Sequence, residues 1–134
     1  MSDPHVAPVR VLCIDDDPGT LELIKIMLSR IGIETDTAET GTLGLRMLAG
    51  GEYRLLILDL MLPDVDGFEV LKAVREDMRF DFIPVLILSA RAEPEIISRG
   101  LDNGADGYIT KPYLQHTLTD RVRVMLEQGR THRQ

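Results

Sequence analysis

The chain has 134 residues, 44% of them hydrophobic and 28% charged, with a formal net charge of −7. That length makes one domain able to bury a core without staples, and the acidic balance excludes bulk affinity for nucleic acid or an anionic membrane. Aromatic residues are only 4% with no Trp, and the single Cys13 excludes an intrachain disulfide or a multi-cysteine metal site.

In chain order, short apolar runs alternate with amphipathic segments. Val9–Ile14 predicts the first strand, and residues 18–30 a helix with Leu21, Ile24, Met27, Leu28 and Ile31 at helical spacing. Asp17 is placed to cap that helix, Pro18 suits its first position and Gly32 its end. Residues 34–38 predict a second strand, followed by a helix over 42–49 with Leu43, Met47 and Leu48. The run 55–59 predicts the third strand, and residues 67–77 a helix capped by Asp66 and carrying Phe68, Leu71, Val74 and Met78. Val85–Ser89 and Gly107–Thr110 complete the strands; residues 93–103, with Ile96, Ile97 and Leu101, and 114–128, with Leu114, Leu118, Val122, Met125 and Leu126, complete the helices. Three of the strands are almost continuously apolar, as strands covered on both faces should be. Five βα units in strict alternation predict a five-stranded parallel sheet, doubly wound, with helices on both faces.

No run approaches the roughly 18–20 apolar residues of a membrane span. Residues 1–8 lack the look of a signal peptide and read as an N-terminal extension, while 129–134 read as a polar tail or the start of a linker. The expectation is a soluble cytoplasmic domain over 9–128, without direct nucleic-acid or membrane binding.

Two apolar strands end on carboxylate, at Asp15-Asp16-Asp17 and at Asp59, where turn residues are usual. Open parallel sheets bind ligands beyond the carboxyl ends of their strands, and Ser89 and Lys111 belong to that same edge. Oxygen donors without His or Cys suit Mg2+ or Mn2+ far better than zinc. Asp15, Asp16 and Asp59 could hold one such ion, with the Met61 backbone carbonyl adding a further oxygen. A metal, an ammonium and a hydroxyl around one carboxylate are the parts that phosphoryl transfer requires, and Asp59 is the natural nucleophile.

Four stretches carry a resemblance: Val-Leu-Cys-Ile-Asp-Asp-Asp-Pro (11–18), Leu-Leu-Ile-Leu-Asp-Leu-Met-Leu-Pro-Asp-Val-Asp-Gly (55–67), Pro-Val-Leu-Ile-Leu-Ser-Ala (84–90) and Gly-Ala-Asp-Gly-Tyr-Ile-Thr-Lys-Pro-Tyr (104–113). Together they resemble the receiver domain of bacterial two-component response regulators, over essentially residues 9–128. The resemblance implies a flavodoxin-like (βα)5 fold in strand order 2-1-3-4-5. It implies that Asp59 accepts a phosphoryl group from a sensor histidine kinase or a histidine phosphotransfer protein, with Mg2+ on Asp15 and Asp16. Lys111 would contact the phosphoryl oxygens beside a cis bond to Pro112. Ser89 and Tyr108 would form a switch that moves the surface of the fourth helix, fifth strand and fifth helix, controlling a downstream effector or a fused output domain. Gly107 and Thr117 depart from receivers fused to winged-helix domains, whereas Arg121 and Arg123 match them, so homodimerisation through that face stays open. Met61 and Arg91 stand where similar proteins tune phosphate lifetime.

Plainer roles compete. Asp17 reads as a helix cap, Asp64, Asp66 and Gly67 as turn chemistry, and Cys13 and most methionines as packing. Ser89 alone could start a helix, Lys111 alone could be a surface lysine, and Tyr108 could be a half-buried strand aromatic. His5, His116 and His132 read as solvated. A Mg2+-dependent phosphatase would want a general acid two residues after its nucleophile, where Met61 stands. A nucleotide-binding flavodoxin-like protein would want backbone N–H groups and glycines where Asp15 to Gly19 offers carboxylates. An unphosphorylated scaffold would not need the acidic set. The domain therefore reads as a phosphoacceptor that turns over only its own phosphoryl group.

Overall fold

In the computed structural model, residues 8–130 are described. Five parallel strands, β1 (Val9–Ile14), β2 (Ile33–Ala38), β3 (Leu56–Leu58), β4 (Val85–Ser89) and β5 (Gly107–Thr110), pair in the order β2-β1-β3-β4-β5. They alternate with α1 (Pro18–Ser29), α2 (Gly41–Gly50), α3 (Gly67–Glu76), α4 (Pro94–Asp102) and α5 (Gln115–Gln128). The doubly wound topology and strand order follow the expectation.

The two-residue period of a strand explains the continuous apolar runs. Val11, Cys13, Ile57, Leu86 and Leu88 face one side, where they pack with Leu21, Ile24 and Leu28 of α1 and Leu118, Val122 and Met125 of α5. Leu12, Ile14, Leu56, Leu58, Val85 and Ile87 face the other, against Leu48 of α2 and Val70, Leu71 and Val74 of α3. Each fully buried aliphatic side chain contributes on the order of 2 kcal/mol. Cys13 is buried in this core, and burial pushes its thiol pKa up.

Helix starts obey local chemistry. Asp17 accepts from the Gly19 and Thr20 N–H groups and from the Thr20 hydroxyl. Thr40 accepts from the Leu43 N–H, and Asp66 from the Phe68 N–H. Gly67 opens α3 against the end of β3, where an added Cβ would stand 2.3 Å from the Leu60 Cα. Only a residue without a side chain permits that approach.

Three expectations about helix faces fail. Leu43 is 40% exposed, because α2 turns Gly41, Gly44 and Leu48 inward instead. Met78 is 83% exposed, because α3 stops at Glu76 and Asp77 starts a 3-10 turn over Met78–Phe80, which breaks the helical phase. Leu114 is 65% exposed, because it precedes the first turn of α5 instead of lying on its buried face. β3 also ends at Leu58, leaving Asp59 as the first residue beyond the ladder. Met27 and Met125 are core, whereas Met61 is exposed. His116 is exposed on α5, while His5, His132 and most of the expected extension and tail lie outside the described residues. Among the described residues, no helix is long and apolar enough to cross a membrane.

Candidate functional site

The register of the sheet builds the site. Ile14 pairs with Leu58, and the Asp59 N–H donates to the Ile14 carbonyl at 2.9 Å, so Asp15 and Asp59 leave neighbouring strands side by side. Ser89 pairs with Thr110, and the Lys111 N–H donates to the Ser89 carbonyl at 2.9 Å. Sheet order reverses about β1, the place where open α/β sheets hold ligands.

Asp15 and Asp59 are held alike. One oxygen of each accepts a backbone N–H two residues on: Asp15 Oδ1 from Asp17 and Asp59 Oδ1 from Met61, both at 3.0 Å. Their other oxygens share the Lys111 ammonium, at 2.6 Å for Asp15 and 3.0 Å for Asp59. Both carboxylates are buried, while Asp16 is exposed and makes no hydrogen bond or ion pair among the described residues. Ligand oxygens of Asp15, Asp16 and Asp59 all lie within 4.8 Å of one another.

Burial raises the pKa of Asp15, overriding the Lys111 hydrogen bond and the Asp17 N–H, with the charge of Asp59 adding to the rise. Burial works on Lys111 in the opposite sense, yet its hydrogen bonds to Asp15 and Asp59 and their charges hold its pKa above the usual lysine value. Two crowded carboxyls around one ammonium account for both directions. An all-oxygen donor set carrying more negative charge than one lysine balances fits a hard divalent cation.

Ser89 is fully buried at the end of β4. Its Oγ accepts the Arg91 N–H at 3.2 Å, and the Tyr108 hydroxyl donates to the Arg91 carbonyl at 2.6 Å. One peptide segment thus ties Ser89 to Tyr108, and among the described residues no hydrogen bond joins the Ser89 hydroxyl to the Asp59 carboxylate or the Lys111 ammonium. Burial raises the pKa of the Tyr108 phenol. The Arg91 side chain turns away to pair with Glu93 at 3.1 Å. The Lys111–Pro112 peptide is cis. Asp15, Asp16, Asp59 and Lys111 are therefore brought together, with Ser89 and Tyr108 in an adjoining pair.

Sequence reading missed two features. Asp64 bonds to the start of α2, a contact with residues 22 and 23 positions away that no local pattern reveals. Arg75 and Asp106 form a buried pair at 3.0 Å across 31 residues; the one hint was an aspartate between small residues just before a strand.

Residues 11–123 match the response regulator receiver domain family. The DNA-binding dual master transcriptional regulator RpaA of Synechocystis is 41% identical over 117 residues, which are 87% of this chain and 48% of that protein. The receiver domain of Francisella response regulator 1452 superposes with a TM-score of 0.84 at 34% identity, covering 91% of this chain and 98% of that one. Chemotaxis protein CheY4 of Vibrio cholerae superposes at 0.82 with 30% identity, over 88% and 98% of the two chains. The chain spans about half the length of the curated relatives it matches. It belongs to the receiver domain family of response regulators.

Proposed function

We propose that the domain, over residues 9–128, is a phosphoacceptor switch in which Asp59 takes a phosphoryl group from a phosphohistidine on a sensor kinase or phosphotransfer protein. The observation that carries this reading is the Asp59 carboxylate sharing Lys111 with Asp15 inside a three-carboxylate cluster. An Asp59 oxygen forms the bond to phosphorus as the donor's N–P bond breaks, and the histidine leaves with its electron pair. Lys111 meets the charge that spreads over the phosphoryl oxygens. Asp15, Asp16, Asp59 and the Met61 carbonyl would hold Mg2+, or Mn2+, in its place. When bound, the ion supplies charge neutralisation and a template for the incoming oxyanion.

Ser89 then leaves its bond with the Arg91 N–H for a phosphoryl oxygen, and Tyr108 follows through the shared segment. The surface that responds comprises α4, β5 and α5, where a cleft of about 380 Å3 is lined by Tyr108, Ile109, Thr117, Asp120, Arg121 and Val124. Its occupant is a downstream effector, a fused output domain or a second copy of the chain. The setting is the cytoplasm, and turnover is limited to the domain's own acyl phosphate. Incubation with acetyl phosphate and Mg2+ tests the reading: a single hydroxylamine-labile phosphoryl adduct is expected. Steady multiple-turnover hydrolysis of unrelated phosphomonoesters would contradict it in favour of a phosphatase.

A further inference from the structure

The loop from Leu60 to Asp66 joins β3 to α3 and carries Met61, whose carbonyl is assigned a metal role in the function proposed above. Most of its fastenings are local. Asp59 Oδ1 accepts from the Met61 N–H, Met61 and Asp66 form an isolated bridge, and the Gly67 N–H donates to the Leu60 carbonyl. Such contacts shape the loop but leave its placement relative to the rest of the sheet to other ties.

One residue supplies that tie. Asp64 Oδ1 accepts the Gly41 N–H and Oδ2 the Thr42 N–H, both at 2.9 Å, and the Thr42 hydroxyl donates to Oδ2 as well. Among the described residues these are the loop's only hydrogen bonds to an element other than the α3 helix that follows it directly. They satisfy N–H groups in the first turn of α2 that the helix itself cannot, and the carboxylate lies at the positive end of the helix dipole. An apolar seat reinforces the clasp: a Cβ on Gly41 would stand 2.4 Å from Val65 Cγ2 and 3.4 Å from Leu62 Cδ1. Leu62 and Val65 flank Asp64, so charge and packing hold the same segment. α2 has its own cap in Thr40, so the helix does not depend on Asp64 alone for its start.

We infer that Asp64 is a positioning residue for the phosphorylation site, clasping the β3–α3 loop to α2 so that Met61 and Asp59 are held in register with Asp15 and Asp16. This rests on the metal-dependent reading of the site.

The test compares Asp64→Ala, Asp64→Asn and Thr40→Ala by Mg2+ titration and by amide hydrogen exchange. Both alanine variants remove a capping bond from α2, but only Asp64→Ala frees the loop. Expected are a Mg2+ affinity about tenfold weaker in Asp64→Ala, as for other residues that orient a metal ligand, and faster exchange at residues 61–66. Asp64→Asn, which keeps one oxygen acceptor, should recover part of both, and Thr40→Ala should bind Mg2+ like wild type. Wild-type affinity in Asp64→Ala, or an equal loss in Thr40→Ala, would overturn the inference. If Asp64→Ala does not fold, Asp64→Asn carries the comparison. Absence of Mg2+ binding by the wild type would defeat the metal reading and this inference together, whereas wild-type binding unaffected at Asp64 defeats the inference alone.

Discussion

Lys111 Nζ lies 2.6 Å from Asp15 Oδ2, joining the end of β1 to the residue after β5 across 96 positions of sequence. The same ammonium reaches Asp59, so it is the only cation on two buried carboxylates among the described residues. Lys111→Met should therefore destabilise the domain by about 2 kcal/mol, below the ~3–5 of a fully buried pair because part of the ammonium is exposed. The deficit should be smaller at pH 5 than at pH 8, since the Asp15 carboxyl already has a raised pKa and its protonated form needs no cation. Millimolar Mg2+ should restore most of the loss by binding only the folded state. Thermal unfolding with and without Mg2+ reads all three, and a Tm equal to wild type throughout would contradict the pairing.

A second prediction concerns acid. The Thr42 hydroxyl and the Thr42 and Gly41 N–H groups lower the Asp64 pKa to about 2. A folded pKa below the unfolded one gives stability that is present above the unfolded value, near 3.8, and lost as pH falls through about 2. Urea midpoints should fall less steeply between pH 4 and pH 2 in Asp64→Asn than in wild type. Parallel slopes would show that Asp64 does not carry this linkage.

The far end of the sheet has its own ionic centre. Arg75 donates from Nε to the Gly104 carbonyl, from Nη1 to Phe80, and from Nη2 to Ile83 and to Asp106 Oδ2. Asp106 Oδ2 also accepts the Val85 N–H at 2.9 Å, so one guanidinium fastens α3 to the starts of β4 and β5. Burial, followed by the charge of Arg130, lowers the Arg75 pKa to about 10, against the pull of Asp106. Arg75→Met strips a fully buried carboxylate of this partner while Arg130 Nε stays 3.6 Å from it, so the cost should be about 2–3 kcal/mol, below the ~3–5 of an uncompensated buried charge. Arg75→Lys should recover little, because a single ammonium cannot reproduce the forked set of bonds. Chemical denaturation measures both, and midpoints like wild type would contradict this role.

The order of elements and the acidic edge were legible because both rest on local pattern. Burial on two faces forces continuous apolar strands, and strands that stop on Asp15 and Asp59 advertise where they end. Capping at Asp17 and Asp66 was legible for the same reason. What could not be read depends on contacts between distant segments. Asp64 looked like a turn residue because its partners lie on α2, and Arg75 carried no local signal because Asp106 is 31 residues away. Met78 continued the spacing of α3, but the Asp77 cap starts a new turn and turns its side chain to solvent. Ser89 and Tyr108 were read as a pair, while the Arg91 peptide that couples them has no side-chain signature.

The central claim is that Asp59 is the phosphoryl acceptor. Intact-mass measurement after incubation with acetyl phosphate and Mg2+, on wild type and Asp59→Asn side by side, tests it most directly. One added phosphoryl group on the wild type and none on Asp59→Asn is the predicted result. Equal loading of Asp59→Asn would contradict it.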